Sequence, residues 1–144
     1  MQETETMHFI MLNSKIFRNT QIYLDRIIKE YELSSGSLPY LLFLDKNEGI
    51  SQNKLSEEIG NDKAMSARTI SKLIQLDYLY KEQHEKNSRA YRLYLTEKAK
   101  QILPVIHEKV QGMVGLFTED LTEEDLLITM KSLKKIYDST QKLR

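Results

Sequence analysis

The feature that most restricts the fold of this chain is a change of hydrophobic period within residues 51–96. The first part of this segment has apolar residues at helical spacing, in two short stretches separated by Gly60 and Asn61. After Asp77 the pattern changes to that of two strands, on either side of the polar residues 85–89, and in the second strand apolar residues recur at every second position. Two short helices joined by a glycine-containing turn, with a hairpin after them, predict a helix-turn-helix followed by a β-hairpin.

Capping residues place the boundaries of the two short helices. Ser51 is a good N-cap for a helix over residues 52–59, and either Asn61 or Asp62 is suited to cap a second helix over residues 63–76. The hairpin strands are predicted at residues 79–84 and 90–95, and the side chains expected on one face of the second strand are Tyr91, Leu93 and Leu95.

Longer helical patterns precede and follow this segment. Apolar residues from Met7 to Tyr31 recur at three- and four-residue intervals, which predicts one amphipathic helix ending near residues 34–36. A short, strongly apolar helix is expected to open at Leu38, with Pro39 in its first turn, where the missing N–H costs nothing.

On the other side, Thr96 is suited to cap a long helix that Pro104 should kink, and Thr122 is suited to cap the last helix. The apolar stripes of the outer helices are longer than the middle segment can cover, so they are expected to bury against each other and against a second chain. The sequence therefore predicts a mainly α-helical protein with a small β-hairpin wing.

Composition excludes several classes of protein. The hydrophobic content of 40% and the charged content of 29% are ordinary for a soluble globular domain. The absence of cysteine excludes disulfides and thiolate metal sites. No apolar run approaches the roughly 20 residues that span a bilayer, and residues 1–6 are polar and acidic, unlike a secretory signal. We expect a soluble cytoplasmic protein with no membrane partner and no cofactor.

Motifs for catalysis and metal binding are absent from the sequence. There is no nucleophile elbow, phosphate-binding glycine loop or HExxH pattern, and the chain holds only five glycines. His107 is followed by Glu108, but zinc needs three or four converging ligands, and His8 and His84 lie far away in the sequence. We predict no metal site and no enzymatic activity.

The net charge is zero, but the charged residues are unevenly distributed. Residues 63–100 hold nine basic and four acidic side chains, a net charge of +5, whereas residues 119–125 hold five acids and no base. In the second short helix Lys63, Arg68 and Lys72 are basic, and no acid occurs. The other positions predicted to face outward are small or flexible: Ala64, Met65, Ser66, Ala67 and Thr69. Such a face can approach a polyanion closely, and an arginine on it can contact a guanine edge through two hydrogen bonds.

A resemblance to the MarR family of bacterial regulators runs through the same segment. It begins with Ser-Gln-Asn-Lys-Leu-Ser-Glu-Glu-Ile-Gly at residues 51–60 and continues with Asp62-Lys63-Ala64 and Arg68. The hairpin carries its more specific part: the family shows Asp-x-Arg followed six residues later by Leu-Thr, and this chain has Asn87-Ser88-Arg89 followed by Leu95-Thr96. With the long outer helices, the resemblance covers nearly the whole chain.

The resemblance implies a homodimer that binds a double-stranded DNA operator as a repressor or, less often, an activator. Residues 37–100 would form a winged helix-turn-helix lobe, and residues 1–34 and 101–144 a helical dimerisation region. By position, Ala64 and Arg68 match sites that meet bases, and Arg89 matches a wing arginine that enters the minor groove. The full set of predicted DNA-binding residues is Lys63, Ala64, Met65, Ala67, Arg68, Thr69, Lys72, Lys86, Ser88 and Arg89.

Four positions depart from the family pattern. Asn87 stands where the family usually has an aspartate that braces the wing arginine, so Arg89 loses a charge partner. Asp77 occupies a position usually held by glycine, although aspartate tolerates the left-handed conformation better than most residues. Ala99 replaces another glycine inside a helix. Ser66 replaces an aliphatic residue, and this change is expected to weaken packing beneath the second short helix, the recognition helix of the family.

Two questions stay open at the level of sequence. The family binds small aromatic compounds between the dimer helices and the DNA-binding lobe, although ordinary core packing is the favoured explanation for each of the residues concerned. The residues that would surround such an effector are Ile10, Met11, Tyr31, Tyr40 and Phe43. The other question is the partner of the basic face, because a winged-helix protein-interaction module would use it to dock an acidic protein instead of DNA.

Overall fold

The computed structural model describes residues 1–83 and 91–144, which form a mainly α-helical protein with one small antiparallel sheet. This confirms the predicted fold class. The chain consists of two compact units, Met1–Val110 and Gln111–Arg144. The helices are α1 (Glu3–Ile28), α2 (Leu38–Lys46), α3 (Gln52–Ile59), α4 (Lys63–Gln75), α5 (Glu97–Phe117) and α6 (Glu123–Gln141), and the strands are β1 (Ile50–Ser51), β2 (Leu79–Glu82) and β3 (Arg92–Leu95).

The first helix ends earlier than its apolar pattern predicts. α1 stops at Ile28 and tightens into a 3-10 turn over Lys29–Tyr31. Glu32 then adopts a left-handed conformation, with φ 59°, and its N–H donates to the carbonyl of Lys29. The left-handed residue breaks the helical path, so the apolar stripe continues past the point where the backbone stops being helical.

The predicted N-caps are confirmed. The hydroxyl of Ser51 accepts a hydrogen bond from the N–H of Lys54, and the carboxylate of Asp62 accepts one from the N–H of Met65 at 2.8 Å. Of the two residues considered for α4, Asp62 is therefore the cap. At the start of α5 the hydroxyl of Thr96 accepts from the N–H of Ala99.

The sheet has one more strand than the sequence predicted. β3 is central and pairs with β2 on one side and with the two-residue β1 on the other. Leu93 and Leu95 of β3 are buried, whereas Tyr91, predicted on the same face, lies before the strand and is exposed. His84 and Ala90, the predicted ends of the hairpin strands, lie outside the described residues.

The hydrophobic core of the first unit draws on every one of its helices and on the sheet. Burying one aliphatic side chain stabilises a fold by about 1.5–3 kcal/mol relative to leaving it exposed. Its fully or almost fully buried members include Ile28, Tyr40, Leu41, Leu44, Leu55, Ile70, Leu73, Leu79, Leu93, Leu95, Leu103 and Ile106. The strongly apolar α2 is buried as the sequence predicted.

Among the described residues, the core covers the C-terminal end of the α1 apolar stripe and leaves its earlier part exposed. Ile28 is fully buried and Leu24 packs against the core, whereas Phe17 is 64% exposed and Ile10 is 53% exposed on the same helix. The apolar stripe of α1 therefore extends toward the N-terminus beyond the residues that the core of the first unit buries.

The second unit comprises the end of α5 and all of α6. Thr122 caps α6 as predicted, because its hydroxyl accepts from the N–H of Asp125 and the carboxylate of Asp125 accepts from the N–H of Thr122. No residue of α6 is buried, and Leu127 is 73% exposed. Pro104 lies inside α5, as predicted. The kink that it should cause stays a prediction. None of the helices in the described ranges is long and apolar enough to cross a membrane.

Candidate nucleic-acid interface

The turn between α3 and α4 sets up the second helix of the helix-turn-helix. α3 ends at Gly60, which adopts a left-handed conformation with φ 83° that a side chain would strain. Two residues later the Asp62 carboxylate caps α4. The inner face of α4 packs into the core through Ile70 and Leu73, both fully buried, so the opposite face is held toward solvent.

The exposed face of α4 carries most of the predicted DNA-binding residues. Lys63, Ala64, Met65, Arg68 and Lys72 are exposed, and Ala67 and Thr69 are half-buried beside them. The hydroxyl of Thr69 donates to the carbonyl of Met65 within the helix. No acid occurs in α4, and none of its three basic side chains forms an ion pair with another residue in the described part of the chain. The face is positively charged and open to a polyanion.

Ser66 lies on the other side of α4. It is 1% exposed, so its predicted outward position was wrong. Its hydroxyl lies 2.8 Å from the hydroxyl of Tyr40 on α2, and Tyr40 also accepts a hydrogen bond from the side-chain amide of Asn61 at 2.9 Å. Three polar side chains therefore meet beneath the start of α4, where the resemblance led us to expect only weakened apolar packing.

The C-terminal end of α4 is held by side-chain contacts that the sequence did not predict. The ammonium group of Lys98 donates to the carbonyl of Leu76 at 2.7 Å and lies 4.4 Å from the centre of the Tyr78 ring. The hydroxyl of Thr96 donates to the carbonyl of Asp77 at 2.6 Å. Asp77 has φ 62°, which confirms the left-handed conformation inferred for that position. These contacts join residues about twenty positions apart in the chain, so no local sequence pattern predicts them.

Tyr78 connects this corner to the end of α1. Its side chain is almost fully buried, and its hydroxyl donates to the carbonyl of Tyr31 at 2.6 Å. Burial raises the pKa of Tyr78, and the nearby Glu32 and Tyr31 raise this pKa further. The hydroxyl therefore stays protonated and able to donate.

The described part of the hairpin is fixed to the turn before α3. The guanidinium of Arg92 donates to the carbonyl of Gly49 at 2.7 Å, and the carboxylate of Glu48 accepts from the N–H of Leu95 at 2.9 Å. The rings of Tyr80 on β2 and Tyr94 on β3 are stacked, with their centres 5.4 Å apart. The predicted contacts of the hairpin tip, Lys86, Ser88 and Arg89, and the departure at Asn87 lie outside the described residues.

The five residues considered for an aromatic effector lie in different surroundings. Ile10 and Met11 are exposed on α1, Tyr31 and Phe43 are half-buried at the edge of the core, and Tyr40 is fully buried. Met11 contributes to an open recess of about 460 Å³, whose other lining residues also belong to α1. A second recess, of about 380 Å³, lies between residues 32–37 and α4 and is lined by Arg68 and Lys72 among others.

His107 lies close to the carboxylate of Asp45. Its Nε2 atom lies 3.7 Å from a carboxylate oxygen of Asp45, and both side chains are partly exposed. Among residues 1–83 and 91–144, no three histidine, cysteine or carboxylate side chains are grouped closely enough to hold a metal ion.

Comparison with known proteins finds similarity over nearly the whole chain, although no protein-family model matches it. The chain is 36% identical to the HTH-type transcriptional regulator BilQ of Clostridioides difficile strain CD3 over 134 residues, which cover 93% of this chain and 89% of that protein. Its structure is similar to that of a MarR transcriptional regulator from Methanosarcina mazei Go1, with a TM-score of 0.88, 30% identity and coverage of 95% and 99%. A MarR family regulator from Listeria monocytogenes, solved in complex with a 26mer DNA, has a TM-score of 0.82, 25% identity and coverage of 90% and 87%.

Proposed function

Because the chain belongs to the MarR family of winged helix-turn-helix transcriptional regulators, we propose that it controls transcription by binding a double-stranded DNA operator. The observation that carries this proposal is the exposed face of α4, a helix that holds no acidic residue. Asp62 caps the helix, and the burial of its inner face holds the opposite face toward solvent. A similar regulator has been solved with a 26mer DNA, which supports the same partner for this chain. The proposed role is regulatory and not catalytic.

In this proposal α4 enters the major groove. Arg68 lies near the middle of its exposed face and makes two hydrogen bonds to a guanine, and Ala64 lies one turn earlier, where a small side chain permits close approach. Met65, Ala67 and Thr69 contact the neighbouring bases or sugars, and Lys63 and Lys72 contact phosphates. At the hairpin, Arg89 enters the minor groove while Lys86 and Ser88 contact the backbone.

We also propose that the protein acts as a homodimer, most often as a repressor. Residues 37–100 form the DNA-binding lobe, and residues 1–34 and 101–144 form the dimerisation region. The exposed apolar side chains of α1 and α6 support this assignment, because large uncovered apolar surfaces mark interaction sites. Two lobes related by a two-fold axis then bind a pseudo-palindromic operator with half-sites about one helical turn apart.

Selection of bound duplexes from a random pool tests the DNA-binding proposal. We expect enrichment of a palindrome whose half-sites are spaced by about 10 base pairs. Affinity for the selected operator should fall steeply as salt is raised, because a protein of zero net charge relies on local phosphate contacts, each adding about −0.9 to the slope of log K against log salt. Recovery of no enriched sequence would contradict the proposal and favour a protein-docking role for the basic face.

A small aromatic ligand is proposed to release the protein from its operator by binding near Ile10, Met11, Tyr31, Tyr40 and Phe43. A ligand that binds only the folded protein raises the free energy of unfolding, by about 2.7 kcal/mol at a hundred times its Kd. We therefore expect at least one compound in a panel of small phenolic and other aromatic molecules to raise the melting temperature and to weaken operator binding. Aliphatic compounds of similar size and charge serve as the control, and a panel without any shift would count against ligand control.

A further inference from the structure

We infer that the hydroxyl group of Tyr40 is a positioning group for DNA recognition. It joins α2 to the start of α4 through Asn61 and Ser66, and thereby fixes the orientation in which α4 presents Arg68. The inference rests on the proposed binding of DNA by α4. It adds Tyr40, which lies beneath α4 and does not belong to its exposed face.

The geometry forms a continuous chain of hydrogen bonds. The Asn61 side-chain amide donates to the Tyr40 oxygen at 2.9 Å, which leaves the tyrosine proton available for the Ser66 oxygen at 2.8 Å. The carbonyl of Asn61 in turn accepts from the hydroxyl of Ser56, on α3, at 3.2 Å. Tyr40 is fully buried and Ser66 is 1% exposed, so water does not compete for the bond between their hydroxyls.

The anchored residues flank the start of the recognition helix. Asn61 directly precedes the cap residue Asp62, and Ser66 lies one turn into α4, two positions before Arg68. Anchors on both sides of the cap restrict both the tilt of α4 and its rotation about its own axis. A bidentate contact to a base edge tolerates displacements of only about 0.5 Å or 10–20°, whereas a lysine contact to a phosphate is far less directional.

The residue types explain why this chain needs directional bonds here. Ser66 is smaller than the aliphatic side chain expected at that position, so it supplies less apolar contact between α4 and the layer beneath. Tyr40 places an aromatic ring in the core, and its hydroxyl, once buried, requires a polar partner. Ser66 and Asn61 supply the partners, and hydrogen bonds replace apolar packing as the link that sets the helix orientation.

The first test compares binding of the selected operator with binding of a scrambled duplex of equal length, by fluorescence anisotropy at one salt concentration. We expect Tyr40→Phe to weaken operator binding roughly 5- to 30-fold, because the loss of one buried hydroxyl leaves two groups without a partner. Binding of the scrambled duplex should change less than about two-fold, because phosphate contacts supply non-specific affinity. Equal weakening for both duplexes, or no weakening, would overturn the inference.

The double variant Tyr40→Phe, Ser66→Ala separates positioning from stability. Removing both hydroxyls leaves no unpaired hydroxyl at the site, so we expect the melting temperature to recover most of what Tyr40→Phe alone loses. Operator affinity should stay low, because neither anchor is restored. If operator affinity recovers together with the melting temperature, the bonds are merely structural and the inference is wrong.

Amide hydrogen exchange gives a readout that needs no DNA. In Tyr40→Phe the amides of Met65 and Ser66, which donate to Asp62, should exchange faster than in the unsubstituted protein. Tyr78→Phe is the matched control, because it removes another buried tyrosine hydroxyl bond, to Tyr31, without touching the start of α4. Unchanged exchange at residues 65–66 in Tyr40→Phe would overturn the inference.

Failure of the proposed function and failure of the role inferred for Tyr40 give different results. If the unsubstituted protein selects no operator, the proposed function fails, and this inference fails with it. If it selects one and Arg68→Ala loses it while Tyr40→Phe does not, only the inference about Tyr40 fails.

Discussion

Replacing Arg68 with alanine is expected to weaken binding of the selected operator by about 1–3 kcal/mol, which is roughly 5- to 150-fold. The substitution removes two donors that no other exposed residue near the middle of α4 provides in the same geometry, and it should relax the base preference at one position of each half-site. The side chain is exposed, so the melting temperature should change little. Repeating the selection with the variant measures both the affinity and the lost preference.

Lys46→Ala is the control for Arg68→Ala. It removes the same charge from an exposed position at the end of α2, outside both the exposed face of α4 and the proposed dimerisation region, and should leave operator affinity within about two-fold of the original. Operator affinity that is equally insensitive to both substitutions would show that α4 does not read DNA through Arg68.

Introducing a charge at Phe17 is expected to have a larger effect, because it should separate the two protomers. Phe17→Asp places a carboxylate on the part of the α1 stripe that the core of its own chain leaves uncovered. A second chain that buries this position would have to desolvate the charge. We expect sedimentation to report a monomer and operator affinity to fall roughly 10²- to 10⁴-fold, since two linked lobes bind far more tightly than one.

Asn19→Asp adds the same charge to α1 two residues later, about half a helical turn away from the Phe17 side. It should leave both the sedimentation and the operator affinity nearly unchanged. A dimer that survives Phe17→Asp with full affinity would contradict the role proposed for this part of α1.

Local features of the fold were predictable from the sequence because their causes lie within a few residues. The caps at Ser51 and Thr122 each depend on a hydrogen bond that spans three positions, so the residue type and its place before an apolar pattern were sufficient. The cap of α4 depends on a bond of the same span, and the sequence narrowed its candidates to Asn61 and Asp62. The left-handed conformation of Asp77 was inferred from the kind of residue usually found there. The exposed face of α4 followed from the helical period.

Features that depend on distant partners were not predictable in this way. β1 is two residues long and exists as a strand only because it pairs with β3, about forty positions away. Ser66 is among the small positions predicted to face outward, yet it is buried, and the Tyr40 hydroxyl on α2 gives its hydroxyl a partner there. The role of Lys98 depends on the carbonyl of Leu76, and a single sequence does not reveal which lysine meets which carbonyl.

The arrangement of contacts around α4 has a consequence for how operator preference can change. The helix is held at its start from α2 and at its end from the first turn of α5, through side chains that do not belong to its exposed face. The exposed positions contribute little to the fold itself, so they are free to be exchanged without disturbing the frame that carries them. If α4 reads the operator as proposed, we expect designed variants to acquire new operators by exchanging a handful of its surface residues on a scaffold that stays the same.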